Sequence, residues 1–210
     1  MTRTFFAFRY ALLMGGFVLT LVVPIGVALG LVSGYSRGTL LEKVIMRITD
    51  IFVSVPALVL AMAVTAILTP NLFNAMLAVS LMWWPWYTRL IYGLASSLRE
   101  EYFVRAAEVS GAGVIHILFR EMLPNCIAPI LTKMSLDMAY VILIGASLSF
   151  VGLGAQAPRP DLGTMVSKGS EYLPDLWWMS VFPALAIVVI VLGFNLLGDG
   201  IQDMFGVEKV

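Results

Sequence analysis

Charge is scarce in this chain. Only 12% of its 210 residues are Asp, Glu, Lys or Arg, against roughly 25% in soluble domains. The mean hydropathy is +0.94, and the 13 basic residues balance the 13 acidic ones. A zero net charge leaves no electrostatic support for a nucleic-acid partner. There is one cysteine, Cys126, which excludes an intramolecular disulfide and any cysteine-based zinc site. It lies in an apolar stretch, where a small buried side chain is the expected role. The single histidine, His116, is expected to be solvated or packed. No Gly-x4-Gly-Lys-Ser/Thr phosphate loop occurs, nor any Ser/His/Asp or metal-ligand cluster, so no cofactor is expected. No cleavable leader is evident: the apolar run after Arg3 and Arg9 is too long for one and lacks a small-residue cleavage site.

What is present is hydrophobic: 60% of the chain. The expected class is all-α and polytopic, with about five spans. The first covers about Tyr10 to Ser33, long enough to cross a ~30 Å hydrocarbon core. Gly26, Gly30 and Gly34 recur there at every fourth position, a small-xxx-small stripe for close approach of another helix, within the bundle or between subunits. The second covers Ile48 to Leu68, with Asp50 near its start and a kink expected at Pro56. The third covers Leu72 to about Leu94 and holds Trp83-Trp84-Pro85-Trp86-Tyr87. Tryptophans at interfaces sit at span ends, so this cluster is expected to pack inside a bundle, with a substrate-lining role as the alternative. The fourth covers Pro124 to Gly152 and the fifth about Leu176 to Leu197. Between them, residues 154–175 are too polar to cross and read as a surface-lying or partly re-entrant loop, with Asp161 capping a short helix.

The longest polar stretch is Ser97 to Asn125, with the connection between spans at residues 97–123. Ser97 and Glu100 have capping-box spacing, predicting a helix start there. Glu101, Arg105 and Glu108 are spaced to pair on a solvated face, and Gly111 and Gly113 are placed to end the helix. Phe103, Ala106, Ala107 and Ser110 share a small, mildly apolar face. A short capped helix between spans reads as a docking element for a soluble partner. Arg37, Lys43, Arg47, Arg89, Arg99, Arg105, Arg120 and Lys209 fall on its side of the membrane, and only Arg3, Arg9, Arg159 and Lys168 on the other. That imbalance predicts a cytoplasmic docking stretch and C-terminus with the N-terminus outside. Lys133 and Asp137 are left within the fourth span. They are four residues apart on one face, roughly 13 and 20 Å along the helix from Pro124. Charges at that depth favour an interior or water-lined position. They read either as a pair that neutralises itself or as part of a substrate path.

These residues resemble a known family. Arg105-Ala106-Ala107, Gly111 and Leu123-Pro124 match the EAA loop of binding-protein-dependent ABC import permeases, with Arg105 in place of its Glu and Glu121 in place of its Ile. Ala146 to Gly154 (ASLSFVGLG), Trp84-Pro85 and Phe194 to Gly200 (FNLLGDG) are similar to the second permease of dipeptide, oligopeptide and nickel transporters. The similarity runs from the first span to about Asp203; the family's first span, of six, is read as missing here.

The resemblance implies a type I ABC importer permease fold in a bacterial or archaeal plasma membrane. It implies a non-catalytic subunit that moves di- or oligopeptides, with nickel chelates as the alternative substrate. The implied partners are a homologous permease, two cytoplasmic ATPases and an extracytoplasmic substrate-binding protein that meets the outer surface, 154–175 included. It assigns ATPase coupling to Phe103, Arg105, Ala106, Ala107, Ser110, Gly111, Leu123 and Pro124. Trp84, Lys133 and Asp137 are candidates for the translocation path. Two other classes compete: a secondary transporter built on Lys133 and Asp137, and a non-transporting membrane scaffold.

Overall fold

The computed structural model describes residues 2–205, and Lys209, used in the charge count above, lies outside them. Among the described residues the chain is all-helical. The helices are α1 (Thr2–Tyr35), α2 (Leu40–Val53), α3 (Ala57–Ile67), α4 (Leu72–Leu98), α5 (Tyr102–Val109), α6 (Val114–His116), α7 (Leu123–Phe150), α8 (Leu162–Ser170) and α9 (Trp178–Phe205). A π-helical stretch, Ile117–Met122, joins α6 to α7, so Val114–Phe150 forms one 37-residue rod.

Among the described residues three helices are long and apolar enough to cross a membrane, α1, the Val114–Phe150 rod and α9, and the bent pair α2–α3 makes a fourth if it is taken as one broken span. The second span keeps its place but is broken more sharply than a kink. Instead of one kinked helix over Ile48 to Leu68, the chain forms α2 and α3 at 85° to each other. Pro56 has no N–H to donate and disfavours helical geometry at Val55. The α2 ladder therefore ends at Ser54, whose N–H reaches Asp50 O, and α3 restarts with Pro56 at its N-cap. Pro24, Pro85, Pro129 and Pro183 lie inside continuous helices. α4 has the length to cross, about 40 Å at 1.5 Å per residue. Its Trp83-to-Arg89 centre makes it less apolar than the other three.

The glycine stripe faces inward, onto α4. A Cβ on Gly26 would lie 2.5 Å from Tyr87 Cβ, one on Gly30 2.6 Å from Ile91 Cβ, and one on Gly34 2.5 Å from Ala95 Cβ. Glycines and partners both step by four, so the two backbones touch along their length. This makes α1 and α4 the most extensive helix pair in the fold. Of the two destinations open to the stripe, the structure realises the intra-bundle one.

α7 closes the core against both helices. Val141 and Leu148 pack with Val18, Val22 and Val79 at one end, and Cys126 and Ile130 with Leu31, Ile91 and Val104 at the other. Cys126 is fully buried, as expected. α8 is wedged between α7 and α9. A Cβ on Gly163 would lie 2.0 Å from Ala146 O, and one on Gly169 2.5 Å from Ser180 N, so both seats require glycine. Asp161 caps α8 through Thr164 N–H at 3.1 Å, and burial raises the pKa of its carboxyl against the opposing hydrogen bonds.

Candidate functional site

The polar stretch folds into α5 and the turn behind it. The helix does not start at Ser97: α4 runs on to Leu98, drawn along α1 by the Gly34–Ala95 contact, and Ser97 sits in its last turn. α5 begins at Tyr102 with Glu101 at the N-cap and no side-chain cap bond. The capping-box reading is therefore corrected, because tertiary packing of α4 overrides the local signal. The ion pairing differs too. Arg105 pairs with Glu100, and Glu108 accepts a 2.9 Å hydrogen bond from Tyr35 Oη at the end of α1. Arg99 lies over the Tyr35 ring at 5.7 Å and donates to the Arg37 carbonyl at 3.0 Å. α5 is thus tied to the ends of α1 and α4.

Its other end is a Schellman turn. Gly111 has φ +82°, its N–H reaches Glu108 O at 3.0 Å, and Ala112 N–H reaches Ala107 O at 3.0 Å. Both bonds satisfy carbonyls that the helix leaves free. Gly113 stands at the N-cap of α6 rather than ending α5.

The four residues expected on one face divide. Phe103, Ala106 and Ser110 are exposed, while Ala107 leans onto the cluster around the fully buried Val104. Leu123 also packs on that cluster, and Pro124 and Arg105 are exposed. The outward surface instead gains Tyr102 (88% exposed), Val109 (91%) and Ile115 (75%). A 100° helical step from Val104, which faces the core, would have located the first two, whereas Ile115 lies beyond the Gly111 turn. His116 is exposed and 3.5 Å from Glu121.

Lys133 and Asp137 meet as expected, with Nζ 3.2 Å from Oδ1 and 3.1 Å from Oδ2. Asp137 is only 5% exposed, and Lys133 is half-buried with Nζ 5.3 Å from the centre of the Tyr87 ring. Tyr87 is wholly buried, and its hydroxyl faces the Asp137 carboxylate without reaching full hydrogen-bond geometry. Trp83 Nε1 is likewise buried without a partner. The Lys133–Asp137 pair, the Tyr87 hydroxyl and the Trp83 indole N–H thus form one polar region inside the bundle. Tyr87 is the residue that sequence reasoning did not single out here. Trp84 takes another position: it packs edge-on to Phe52 at 5.5 Å. It also lines a lateral groove of about 440 Å³ with Leu21, Ile25, Val64 and Leu81.

A continuous membrane bundle with a short capped helix at one end is the arrangement that the sequence motifs implied. The family model described as the inner membrane component of binding-protein-dependent transport systems matches residues 26–206. The chain belongs to this family of ABC importer permeases. It is 42% identical over 203 residues to the probable D,D-dipeptide transport system permease protein DdpC of Escherichia coli (strain K12), covering 97% of this chain and 68% of the relative. It is 40% identical over 202 residues to the dipeptide transport system permease protein DppC of Alkalihalophilus pseudofirmus, covering 96% and 66%. The chain thus spans about two thirds of these relatives' length. Among solved structures, the MetNI methionine ABC transporter in an inward-facing conformation shares the fold. Its TM-score is 0.72 at 18% identity, over 96% of this chain and 93% of that one.

Proposed function

We propose that the chain is the membrane-spanning, non-catalytic subunit of a peptide importer. It pairs with a homologous permease, receives di- or oligopeptides from an extracytoplasmic binding protein, and couples to two cytoplasmic ATPases through α5. The observation that carries the reading is the presentation of α5. Val104 anchors one side in the core, Gly111 closes the helix, Tyr35–Glu108 ties it to α1, and Tyr102, Phe103, Ala106 and Val109 are left facing outward. A helix held on one face and bare on the other suits a groove in a soluble partner. The peptide substrate is supported by the names of the relatives. In this reading Lys133 and Asp137 line the path, where an ammonium and a carboxylate oppose the two termini of a zwitterionic peptide. Trp84 takes part from the side, through its contact with Phe52.

The test is Ala106→Glu, placed on the exposed face, in the assembled transporter. Membrane insertion and pairing with the companion permease should be retained, while substrate-stimulated ATP hydrolysis falls about tenfold or more, as expected when a charge is buried unpaired in an interface. Ala107→Glu places its charge against the core and should instead lower assembly. Unchanged hydrolysis by Ala106→Glu in intact complexes would remove α5 from the coupling.

A further inference from the structure

On the importer reading above, we propose that a polar furrow between α2 and α4 is the stretch of the substrate path nearest α5. Arg89, braced by Asp50, receives the carboxylate terminus of the peptide there. α2 runs antiparallel to α4, since Glu42 meets Tyr92, Asp50 meets Arg89 and Phe52 meets Trp84. Each helix carries an exposed stripe distinct from its core-facing and apolar sides. On α2 it is Lys43, Arg47, Asp50 and, at the C-cap, Ser54, within about 60° of arc. On α4 it is Trp86, Arg89, Gly93 and Ser97, within about 80°. The stripes join at the Arg89–Asp50 pair, at 2.7 Å, and in this antiparallel arrangement both turn to the same side of the α2–α4 plane. A Cβ on Gly93 would meet nothing within 4 Å, so the furrow is open there.

The occupant follows from depth and charge. Arg89 lies about 14 Å from the α5 end of α4, and the two side chains of the pair are 46% and 47% exposed. Charges at that depth need water or a polar partner. Arg89 does not snorkel to the near headgroups. Asp50 lies about 12 Å beyond Glu42 along α2, and Arg89 only about 5 Å beyond Tyr92 along α4, so the ion pair draws the guanidinium deeper. The outer half of α4 exposes Phe73, Leu77 and Leu81 on a different side, a face suited to lipid, whereas its furrow stripe has no aliphatic side chain. Three cations share the furrow with one carboxylate, and Lys43 and Arg47 form no ion pair among the described residues. Arg89 commits only Nη2 to Asp50 Oδ1, which leaves the rest of its planar fork for a second carboxylate. Excess positive charge in a cleft concentrates an anion, and a peptide brings one at its C-terminus. Lys133 and Asp137 stand at the same level on the other flank of α4, against Tyr87. Asp137 is almost enclosed, so Asp50–Arg89 is the more accessible pair.

Single cysteines in the Cys126→Ala background test this in the assembled transporter, held in lipid nanodiscs that leave both sides open. Gly93→Cys and Ser97→Cys should react with hydrophilic methanethiosulfonates about ten-fold faster than Ile48→Cys on the apolar side of α2, because the thiolate is the reactive form and needs water. At Gly93→Cys the anionic sulfonatoethyl reagent should gain about ten-fold on the cationic trimethylammonioethyl reagent, relative to their ratio on a free thiol. Lys43→Gln/Arg47→Gln should remove that gain. A dipeptide should slow the labelling more than its C-terminal amide does. Arg89→Gln/Asp50→Asn, which leaves neither charge unpaired, should abolish the difference. Furrow labelling as slow as that of Ile48→Cys would mean that the companion permease or lipid fills the furrow, and would overturn the proposal. Fast labelling that dipeptide and amide slow equally, or not at all, would leave a wet cleft without a carboxylate site and overturn it too. Either result beside normal substrate-stimulated ATP hydrolysis in the same complexes leaves the importer reading standing. A parent complex without stimulated hydrolysis would end that reading and this one with it.

Discussion

At the scale of single residues, the glycines of α1 hold the bundle and set the polar site at once. Gly26 lets the α1 backbone approach Tyr87, and Tyr87 is the surface over which Lys133 sits. Gly30→Ala would place a Cβ 2.6 Å from Ile91 Cβ and 2.9 Å from the Thr88 carbonyl. Neither contact is the free end of a flexible chain, so the helices must part, at about 1–3 kcal/mol. A clear drop in the unfolding temperature of the detergent-solubilised chain is expected. Gly16→Ala, with nothing within 4 Å, should leave it unchanged or slightly raised, since alanine favours the helix. The ion pair is separable from this packing. Lys133→Met/Asp137→Leu removes both charges and leaves neither alone in the interior, the arrangement that is most destabilising. Near-normal expression and ATPase stimulation with lost uptake is expected for the path reading. Normal uptake would reduce the pair to internal neutralisation.

At the scale of elements, the parts legible in the sequence were those with a local cause. Gly111 took positive φ because an αL residue closes a helix whatever surrounds it, and the glycine period of α1 marked a contact face because backbone approach needs it. The start of α5 was not legible, since Ser97 and Glu100 carry a valid cap signal that α4 overrides by continuing along α1. The break at Pro56 was placed correctly but its size was not. Pro24, Pro85, Pro129 and Pro183 sit within helices packed over their length, whereas α2 finds a better partner for its polar side in Tyr92 and Arg89. That attachment is testable by pH. Glu42 is held below the usual carboxylate range, first by the Tyr92 hydroxyl and then by the Gly38 N–H. A depressed folded-state pKa stabilises above the ordinary glutamate value of ~4.3 and loses its effect as pH falls through the folded value. Tyr92→Phe should therefore loosen α2 at pH 7, seen as faster thiol labelling of Ile45→Cys in the Cys126→Ala background. The difference from the parent should shrink as pH drops below about 4. A difference that persists in acid would assign the effect to packing of the Tyr92 ring.

At the scale of the whole molecule, the proposed coupling rests on one vectorial requirement: α5 would have to face the compartment that holds the ATPases. The arginine and lysine count favours that side for α5, and the fold groups three of the counted residues. Arg37, Arg99 and Arg105 lie with Tyr35, Glu100 and Glu108 in one polar cluster at the α5 end. α8 and the loop before it lie at the far end of α7. Cysteines at Ser36 and Ser110, in the Cys126→Ala background, probe the first end, and one at Ser170 the second; all three positions are exposed or half-exposed in the structure. In intact cells Ser170→Cys should react with a membrane-impermeant maleimide, and Ser36→Cys and Ser110→Cys only with a permeant one. Permeabilisation should equalise the three. Because Tyr35–Glu108 ties the end of α1 to α5, Ser36 and Ser110 must label alike in any orientation; opposite labelling would contradict the fold itself. Labelling of both from outside would leave the fold intact and invert it, placing α5 away from ATP and ending the coupling assignment.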